Sequence, residues 1–205
     1  MARATLFGAA YFRKFYRDPA TRVTTPREMR ARARLIAAVL EHAALPVRSI
    51  LDAGCGIGLL RKPFAEVLPR ARYIGLEASD YLCQRYGWVH GSVVDYAPPA
   101  PLDLVVCYDV LQYLDDSAAA SAVVNLAKIT CTALYLSALT TEDWQQHCDR
   151  TRTDGAVYLR SGAWYRRRLG RHFGYLGCGV WLRKGVSAIL WDLERAGRCK
   201  YRPRR

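Results

Sequence analysis

Ser49-Ile50-Leu51-Asp52-Ala53-Gly54-Cys55-Gly56-Ile57-Gly58 is the stretch whose reading decides the fold. Ile50 and Leu51 are strand formers and Asp52 closes the strand. Three glycines at alternate positions then let the backbone turn tightly and approach a ligand with no Cβ in the way. From Leu59 to Leu68 the pattern is helical, stopped by Pro69. A strand, a glycine turn and a helix start present an edge of free N–H groups, where a nucleotide-like cofactor is expected. A dinucleotide fingerprint spaces its glycines G-x-G-x-x-G so that a helix N-terminus meets a pyrophosphate. Here the third glycine, Gly58, comes one residue early, which disfavours a nicotinamide cofactor.

With Asp52 two residues before Gly54, the segment resembles motif I of the class I S-adenosylmethionine-dependent methyltransferases. The resemblance implies an α/β fold, a three-layer α-β-α sandwich around a seven-stranded, mostly parallel sheet with a C-terminal antiparallel hairpin. It also implies S-adenosyl-L-methionine as cofactor and S-adenosyl-L-homocysteine as product. Asp52, Gly54, Cys55, Gly56 and Gly58 would then wrap the amino-acid end of a cofactor that carries no phosphate.

Two later segments extend the resemblance. Ala71 to Glu77 reads as the second strand, with Glu77 at its carboxyl end, 19 residues past Gly58. An ionised carboxylate offers two acceptor oxygens side by side, suited to both hydroxyls of a ribose. The family uses an acid here for that purpose, with Ala78 next to it; a solvated strand-end glutamate is the alternative. Leu102 to Tyr108 is a near-continuous apolar run, suited to a strand covered on both faces, and Asp109-Val110-Leu111-Gln112-Tyr113-Leu114 follows it. This resembles the family's motif IV, D-x-V-x-x-x-x-V-L-x-H-L, with Tyr113 in place of the frequent histidine. Cys107 and Tyr108 are expected to line the cofactor, while Asp109 and Tyr113 either face substrate or cap and pack the next helix.

One segment departs from the family. Trp88 to His90 is a short third strand leading into Gly91-Ser92-Val93-Val94-Asp95. Many relatives carry an aspartate directly after this glycine to bond the adenine amino group, but Ser92 stands there, followed by Val93. The Ser92 hydroxyl can still reach adenine, and Asp95 serves equally well as a turn cap.

Outward from these motifs, Tyr11-Phe12-Arg13-Lys14-Phe15-Tyr16 is an aromatic and basic segment ended by Asp18-Pro19, and residues 1–25 read as a lid. For Phe12 and Phe15 plain packing is the expectation. Thr25 caps and Pro26 opens a helix with the apolar stripe Met29, Ala33, Ile36, Ala37 and Leu40, ending near Ala44. Ser79-Asp80 starts a helix through Tyr86, Asp116 to Ile129 is another, and Cys131 to Leu139 is a fifth strand. Residues 140–160 are polar and long for a connection, and loops of that kind are usually functional or mobile; they read as a substrate region, with His147 a candidate base. Ser161 caps a helix bearing Arg166-Arg167-Arg168. A final hairpin is expected from Phe173–Leu182 and Val186–Leu193 through Arg183-Lys184-Gly185, and residues 195–205 form a basic tail.

The 205 residues, 51% apolar and 24% charged, suit one soluble globular domain spanning 1–205. No apolar run approaches the ~20 residues of a membrane helix, and Met1 to Ala10 has too short an apolar run for a secretory signal, so a cytoplasmic protein with no membrane partner is expected. The seven cysteines are scattered without C-x-x-C pairs, so neither a metal site nor a disulfide framework is indicated. The net charge of +13 divides into +7 over residues 1–50, −5 over 51–150, 0 over 151–159 and +11 over 160–205. Basic ends flank an acidic core, which either steers an anionic partner or decorates solvated faces.

Three functions fit. The leading one is methyl transfer to a small, anionic acceptor through an oxygen or nitrogen nucleophile. It would proceed by in-line attack with catalysis mostly by alignment and water exclusion, and Tyr113, His147 and Asp109 are the candidate bases if a proton must leave. The second is methylation of RNA or protein, which would show as strongly salt-dependent nucleic-acid binding. The third is a non-catalytic cofactor-binding or basic nucleic-acid-binding protein. No DNA amino-methylation motif and no catalytic-cysteine RNA motif is present, and nothing specifies an oligomeric state.

Overall fold

A computed structural model describes residues 7–194. Helix α1 (Ala9–Phe12) runs on through a wider, π-type turn at Arg13–Arg17 and ends at Asp18, held extended by the following proline. Helix α2 (Pro26–His42) opens with a capping box. The Thr25 hydroxyl accepts the Glu28 N–H at 3.1 Å, the Glu28 carboxylate accepts the Thr25 N–H at 2.7 Å, and Pro26 fills a position with no intrahelical N–H to lose. Its buried residues are the five of the stripe read from the sequence.

Strand β1 (Ser49–Ala53) leads through the glycine turn to α3 (Arg61–Val67). This helix starts two residues later than expected, because Gly58 at φ 78° keeps the chain turning through Leu60. Strand β2 (Arg72–Glu77) is followed by α4 (Asp80–Tyr86), capped by Ser79 and closed by Gly87 at φ 69°, and then by β3 (Val89–His90). Strand β4 (Leu102–Tyr108), helix α5 (Asp116–Ile129), capped by the Asp115 side chain, and β5 (Thr130–Ser137) form the next unit. Helices α6 (Thr141–Gln146) and α7 (Gly162–Leu169) precede β6 (Phe173–Gly177) and β7 (Val180–Arg183).

The sheet order is β3-β2-β1-β4-β5-β7-β6, parallel through β5 and antiparallel at β7 and β6. Strand order reverses between β1 and β4, the place where open α/β sheets bind ligands beyond the strands' carboxyl ends. The period of two along β4 divides the core between the faces. Leu104 and Val106, with Ile50, Ala133 and Tyr135, pack on Met29, Ala33, Ile36 and Phe64 of α2 and α3. Val105 and Cys107, with Leu51, Leu134 and Leu136, pack on Val123, Leu126, Tyr165 and Leu169 of α5 and α7. The three layers and a seven-stranded, mostly parallel sheet ending in an antiparallel hairpin are as expected from the sequence, though the last two strands lie elsewhere in the chain. No helix of the described residues is long and apolar enough to cross a membrane.

The hairpin lies elsewhere than expected. Its turn is Gly177-Cys178-Gly179, all three at positive φ, so the run Phe173–Leu182 folds back on itself as β6 and β7. Val186–Leu193 forms no strand; Val186, Ala188 and Leu190 pack against the α2 side of the core, and Ile189 N–H donates to the Ala43 carbonyl at 3.1 Å. The 140–160 region is also more ordered than its polarity suggests. Thr140 and Asp143 form a second capping box that starts α6, and Thr140 pairs with Arg160 in a single bridge that closes the segment. The basic tail at 195–205 and residues 1–6 of the lid lie outside the described residues.

Candidate active site

Each glycine of the turn after β1 answers to a different constraint. Gly54, at φ 79°, packs so close to the segment after β4 that a Cβ would stand 2.3 Å from Val110 Cγ2. Gly58, at φ 78°, and Gly75 on β2 each lie against the Trp88 indole, where a Cβ would meet a ring carbon at 2.6 Å. Trp88 Nε1–H donates to the Gly56 carbonyl at 3.0 Å, so the indole braces the turn from the side. Gly56, at φ 55°, faces open space: a Cβ there meets nothing within 4 Å.

Glu77, 8% exposed at the end of β2, is fastened to this turn. One carboxylate oxygen accepts the Gly56 N–H at 2.8 Å, and the other accepts the N–H groups of Ala78 and Ser79 at 2.9 and 3.0 Å. Beneath the turn, Asp52 is 3% exposed and accepts the Tyr73 hydroxyl at 2.5 Å. Burial pushes its carboxyl from 3.8 up to about 7, the Tyr73 hydrogen bond pulling the other way and the Glu77 charge adding to the rise.

A cavity of about 220 Å³ opens over the carboxyl ends of the strands, walled by Gly54, Gly56, Glu77, Ala78, Ser92 and Val93 below and by Asp109, Val110 and Tyr113 at the side. Its roof is the amino-terminal segment, through Phe7, Tyr11, Phe12 and Tyr16. The roof is held to the β4 side by a 2.8 Å hydrogen bond between the Tyr11 and Tyr113 hydroxyls and by an edge-on contact of Phe7 with the Tyr113 ring. A smaller space of about 40 Å³ shares Tyr16, Gly54 and Gly56 with it and adds Asp52, Cys55, Thr24, Met29 and Tyr108.

The loop after β4 is pinned from behind by Arg160, 5% exposed. Its guanidinium donates to Asp116 Oδ1 at 2.7 Å, to the Leu111 carbonyl at 3.0 Å and to the Leu114 carbonyl, with longer contacts to the Tyr158 carbonyl and the Tyr165 hydroxyl. Tyr158 N–H donates to the Gln112 carbonyl at 2.7 Å, so the close of the 140–160 segment braces the same loop. The held loop presents Asp109 at φ 55°, left-handed backbone that a non-glycine residue adopts only when its surroundings impose it. Burial raises the Asp109 carboxyl, opposed by hydrogen bonds from Tyr108 and Gln112 and by the charge of Arg32. Burial also pushes the Tyr113 hydroxyl up to about 12.

Of the residues singled out in the sequence, Gly54, Gly56, Glu77, Ala78, Ser92, Val93, Asp109 and Tyr113 line the larger cavity, and Asp52, Cys55 and Tyr108 the smaller. Three do not join them. Gly58 faces Trp88 rather than either cavity. The Cys107 side chain is wholly buried on the α5 side of the sheet, because the strand's alternation turns it into the core. His147 is exposed at the end of α6 and lines neither cavity. Phe12, read as packing only, is both buried and part of the cavity wall. Arg160 gave no signal in the sequence, sitting in a polar stretch.

Known proteins share both the sequence of the core and the architecture. Residues 51–131 match a family model described as a methyltransferase domain. Over 77 residues the chain is 30% identical to trans-aconitate 2-methyltransferase of Azoarcus sp. (strain BH72), a match covering 34% of this chain and 30% of that relative. The matched stretch therefore spans under a third of that relative's length. Magnesium protoporphyrin IX methyltransferase (ChlM) from Synechocystis PCC 6803, solved with bound SAM, aligns with a TM-score of 0.61 at 20% identity, over 89% of this chain and 98% of that one. N-methyltransferase NodS from Bradyrhizobium japonicum WM9, solved with SAH, aligns with a TM-score of 0.61 at 15% identity, over 87% and 98%. The family match and the shared architecture identify the chain as one of class I, Rossmann-like S-adenosylmethionine-dependent methyltransferase fold. The part matched by sequence runs from within β1 to the first residues of β5.

Proposed function

We propose that this chain transfers a methyl group from S-adenosylmethionine to an oxygen or nitrogen nucleophile of a small-molecule acceptor, releasing S-adenosylhomocysteine. The observation that carries the reading is Glu77. It is a nearly buried carboxylate whose oxygens are oriented by three backbone N–H groups, it lines a cavity beside a glycine turn, and Gly56 leaves that approach free of any Cβ. Such a site fits the cofactor: Glu77 would hold the ribose hydroxyls, Ser92 and Val93 would meet the adenine, and Asp52, Cys55 and Gly54 would border the amino-acid end.

When bound, the cofactor supplies a methyl group on a sulfonium centre. The chain's own part is alignment and exclusion of water. Phe7, Tyr11, Phe12 and Tyr16 roof the cavity with apolar rings, and Arg152 ties the 140–160 segment to the roof by donating to the Pro19 carbonyl at 3.1 Å. These two segments, the lid and the substrate region, enclose the acceptor. Where the nucleophile must lose a proton, Asp109 is the candidate base that lines the cavity, its carboxyl raised by burial and not fastened by backbone N–H groups as Glu77 is. Tyr113, with a hydroxyl near 12, stays protonated at neutral pH and orients by donating. His147 has no part, being outside the cavities. The three related methyltransferases are named for unlike activities, so the acceptor follows from this chain's own walls.

Calorimetric titration of the wild type and Glu77→Ala with S-adenosylmethionine and S-adenosylhomocysteine tests the reading. Binding by the wild type, weakened at least tenfold in the variant, about 1.4 kcal/mol, supports cofactor and ribose contact together. A folded wild type that binds neither compound removes the assignment.

A further inference from the structure

The two cavities share Gly54, Gly56 and Tyr16, and of these only Tyr16 has a side chain with a polar atom. Tyr16 is half-buried in the π-type turn Arg13–Arg17, where Asp18 N–H reaches back five residues to the Arg13 carbonyl at 2.9 Å. Such wide turns are rare and frequently mark functional sites. Val23 N–H donates to the Phe15 carbonyl at 2.9 Å and fixes the turn over the cavities. Tyr16 enters from the roof, yet the groups whose charge bears on its hydroxyl belong to the walls of both spaces: Tyr113, Asp109 and Glu77 line the larger one and Tyr108 the smaller. The Tyr11 hydroxyl in the same roof is spent on Tyr113 at 2.8 Å, whereas the Tyr16 hydroxyl makes no hydrogen bond among the described residues. Its oxygen is not one of the side-chain atoms shut inside the protein without a partner, so it faces the open space that the ring lines.

The constitution of S-adenosylmethionine sets its sulfur between the ribose and the methionine chain, with the methyl as third substituent. With the ribose at Glu77 in the larger cavity and the amino-acid end beside Asp52 in the smaller, the sulfur falls where the two meet, and Tyr16 stands there. We propose that the Tyr16 hydroxyl contacts the reacting centre, its oxygen facing the sulfonium and accepting from the methyl C–H groups. It thereby orients the methyl and favours the charged substrate over the neutral product. The positive sulfur polarises these C–H groups, and hydrogen bonds to a charged donor are stronger than neutral ones. Burial first, then the neighbouring Tyr113 and Asp109, hold the phenol well above its ordinary value, so the oxygen stays a neutral acceptor and does not itself attack the methyl. Its proton is free to turn toward the Asp109 carboxylate, leaving lone pairs for the methyl. Once the methyl has gone, the sulfur is an uncharged thioether and the hydroxyl has lost its donor. The inference rests on the methyltransferase reading and names the residue of that site which tells substrate from product.

The test measures affinities of the full chain for S-adenosylmethionine and S-adenosylhomocysteine by calorimetry, in the wild type, Tyr16→Phe and Tyr11→Phe. NMR of S-adenosylmethionine isotope-labelled at the methyl carbon reads the bound methyl protons of the same proteins. A single weak C–H···O contact corresponds to about two- to fivefold in affinity. Tyr16→Phe keeps the ring, so S-adenosylhomocysteine affinity should stay within about twofold of wild type, which also reports folding, while the preference for S-adenosylmethionine falls about threefold or more. The bound methyl protons should lie downfield in the wild type and move upfield in Tyr16→Phe. Tyr11→Phe, which breaks the roof's bond to Tyr113, should move both affinities together and leave the preference and the methyl resonance unchanged. An unchanged preference or an unchanged methyl resonance in Tyr16→Phe overturns the contact. Equal weakening of both ligands in that variant also overturns it, by leaving Tyr16 as roof alone. A folded wild type that binds neither compound removes the methyltransferase reading and the contact with it; normal binding by the wild type with no change of preference in Tyr16→Phe removes the contact alone.

Discussion

Changing Glu77 to glutamine replaces one carboxylate oxygen by an amide nitrogen, and the hydrogen bonds of the site set the size of the penalty. One oxygen serves Gly56 N–H and the other serves Ala78 and Ser79 N–H, at 2.8 to 3.0 Å. A glutamine that keeps its carbonyl on Ala78 and Ser79 turns its NH₂ toward the Gly56 N–H, donor against donor; the opposite rotamer loses two partners instead of one. The better rotamer loses one hydrogen bond to a charged group, about 1.5–3 kcal/mol, and converts two more to neutral ones, roughly 1 kcal/mol each. At 8% exposure solvent offers little relief. Unfolding in urea should therefore show Glu77→Gln less stable by about 3–5 kcal/mol without any ligand. On the proposed function the variant also binds S-adenosylhomocysteine at least tenfold more weakly. Wild-type protein should gain about 2.7 kcal/mol at a hundredfold excess of ligand over Kd, and the variant should gain visibly less at that same concentration. A variant with wild-type urea midpoint would refute the claim that these three bonds hold the turn, and unchanged ligand affinity would refute the ribose assignment.

Arg160→Ala strips the Leu111 and Leu114 carbonyls of their donor and should cost about 2–4 kcal/mol in urea unfolding, with Arg160→Lys recovering part of it. Gly54→Ala and Gly56→Ala should separate: the first drives a methyl into Val110 and loses stability well beyond the roughly 1–2 kcal/mol of left-handed backbone, whereas the second costs only that strain and instead weakens S-adenosylhomocysteine binding in calorimetry. Asp52 gives a pH signature. Its folded carboxyl, near 7, lies above the ordinary 3.8, so the folded state holds the proton more tightly. The associated stability is fully present below about pH 4, is lost as pH rises to about 7, and is flat above. Asp52→Asn should remove that slope from urea midpoints measured between about pH 4 and 8.

Most of the elements were legible because they rest on short-range signals. The apolar run of β4, the caps at Thr25, Ser79 and Ser161, and the spacing from Gly54 to Glu77 each specify local structure without help from distant residues. The final hairpin was misread because a Gly-Cys-Gly turn within an apolar run competes with a second turn at Arg183-Lys184-Gly185, and only pairing of β7 with β5 decides between them. Cys107 and Tyr108 are neighbours in one motif, yet the pleat sends one into the core and the other to the cavity. Arg32 and Arg160 were beyond reach for a related reason. Arg32 meets partners 76 and 103 residues away, and Arg160 reaches back 44 to 49 residues to the loop it pins. No spacing in the chain encodes such contacts.

The indole of Trp88 carries a consequence for how this sequence can vary. Gly58 and Gly75 both lie against one side chain that is on neither strand nor turn, and Gly75 also lies against Cys55 Sγ, where a Cβ would stand at 2.9 Å. While Trp88 is present, alanine at either glycine collides with the ring; a small residue at 88 relieves position 58, which keeps its left-handed backbone, whereas position 75 still meets Cys55 Sγ. Substitutions at 58 should therefore be better tolerated together with a change at 88, and those at 75 only when 88 and 55 both change. The last glycine of the turn would then change in step with a tryptophan 30 residues downstream, and the same indole, bonded to the Gly56 carbonyl, offers a fluorescence report on the state of the turn.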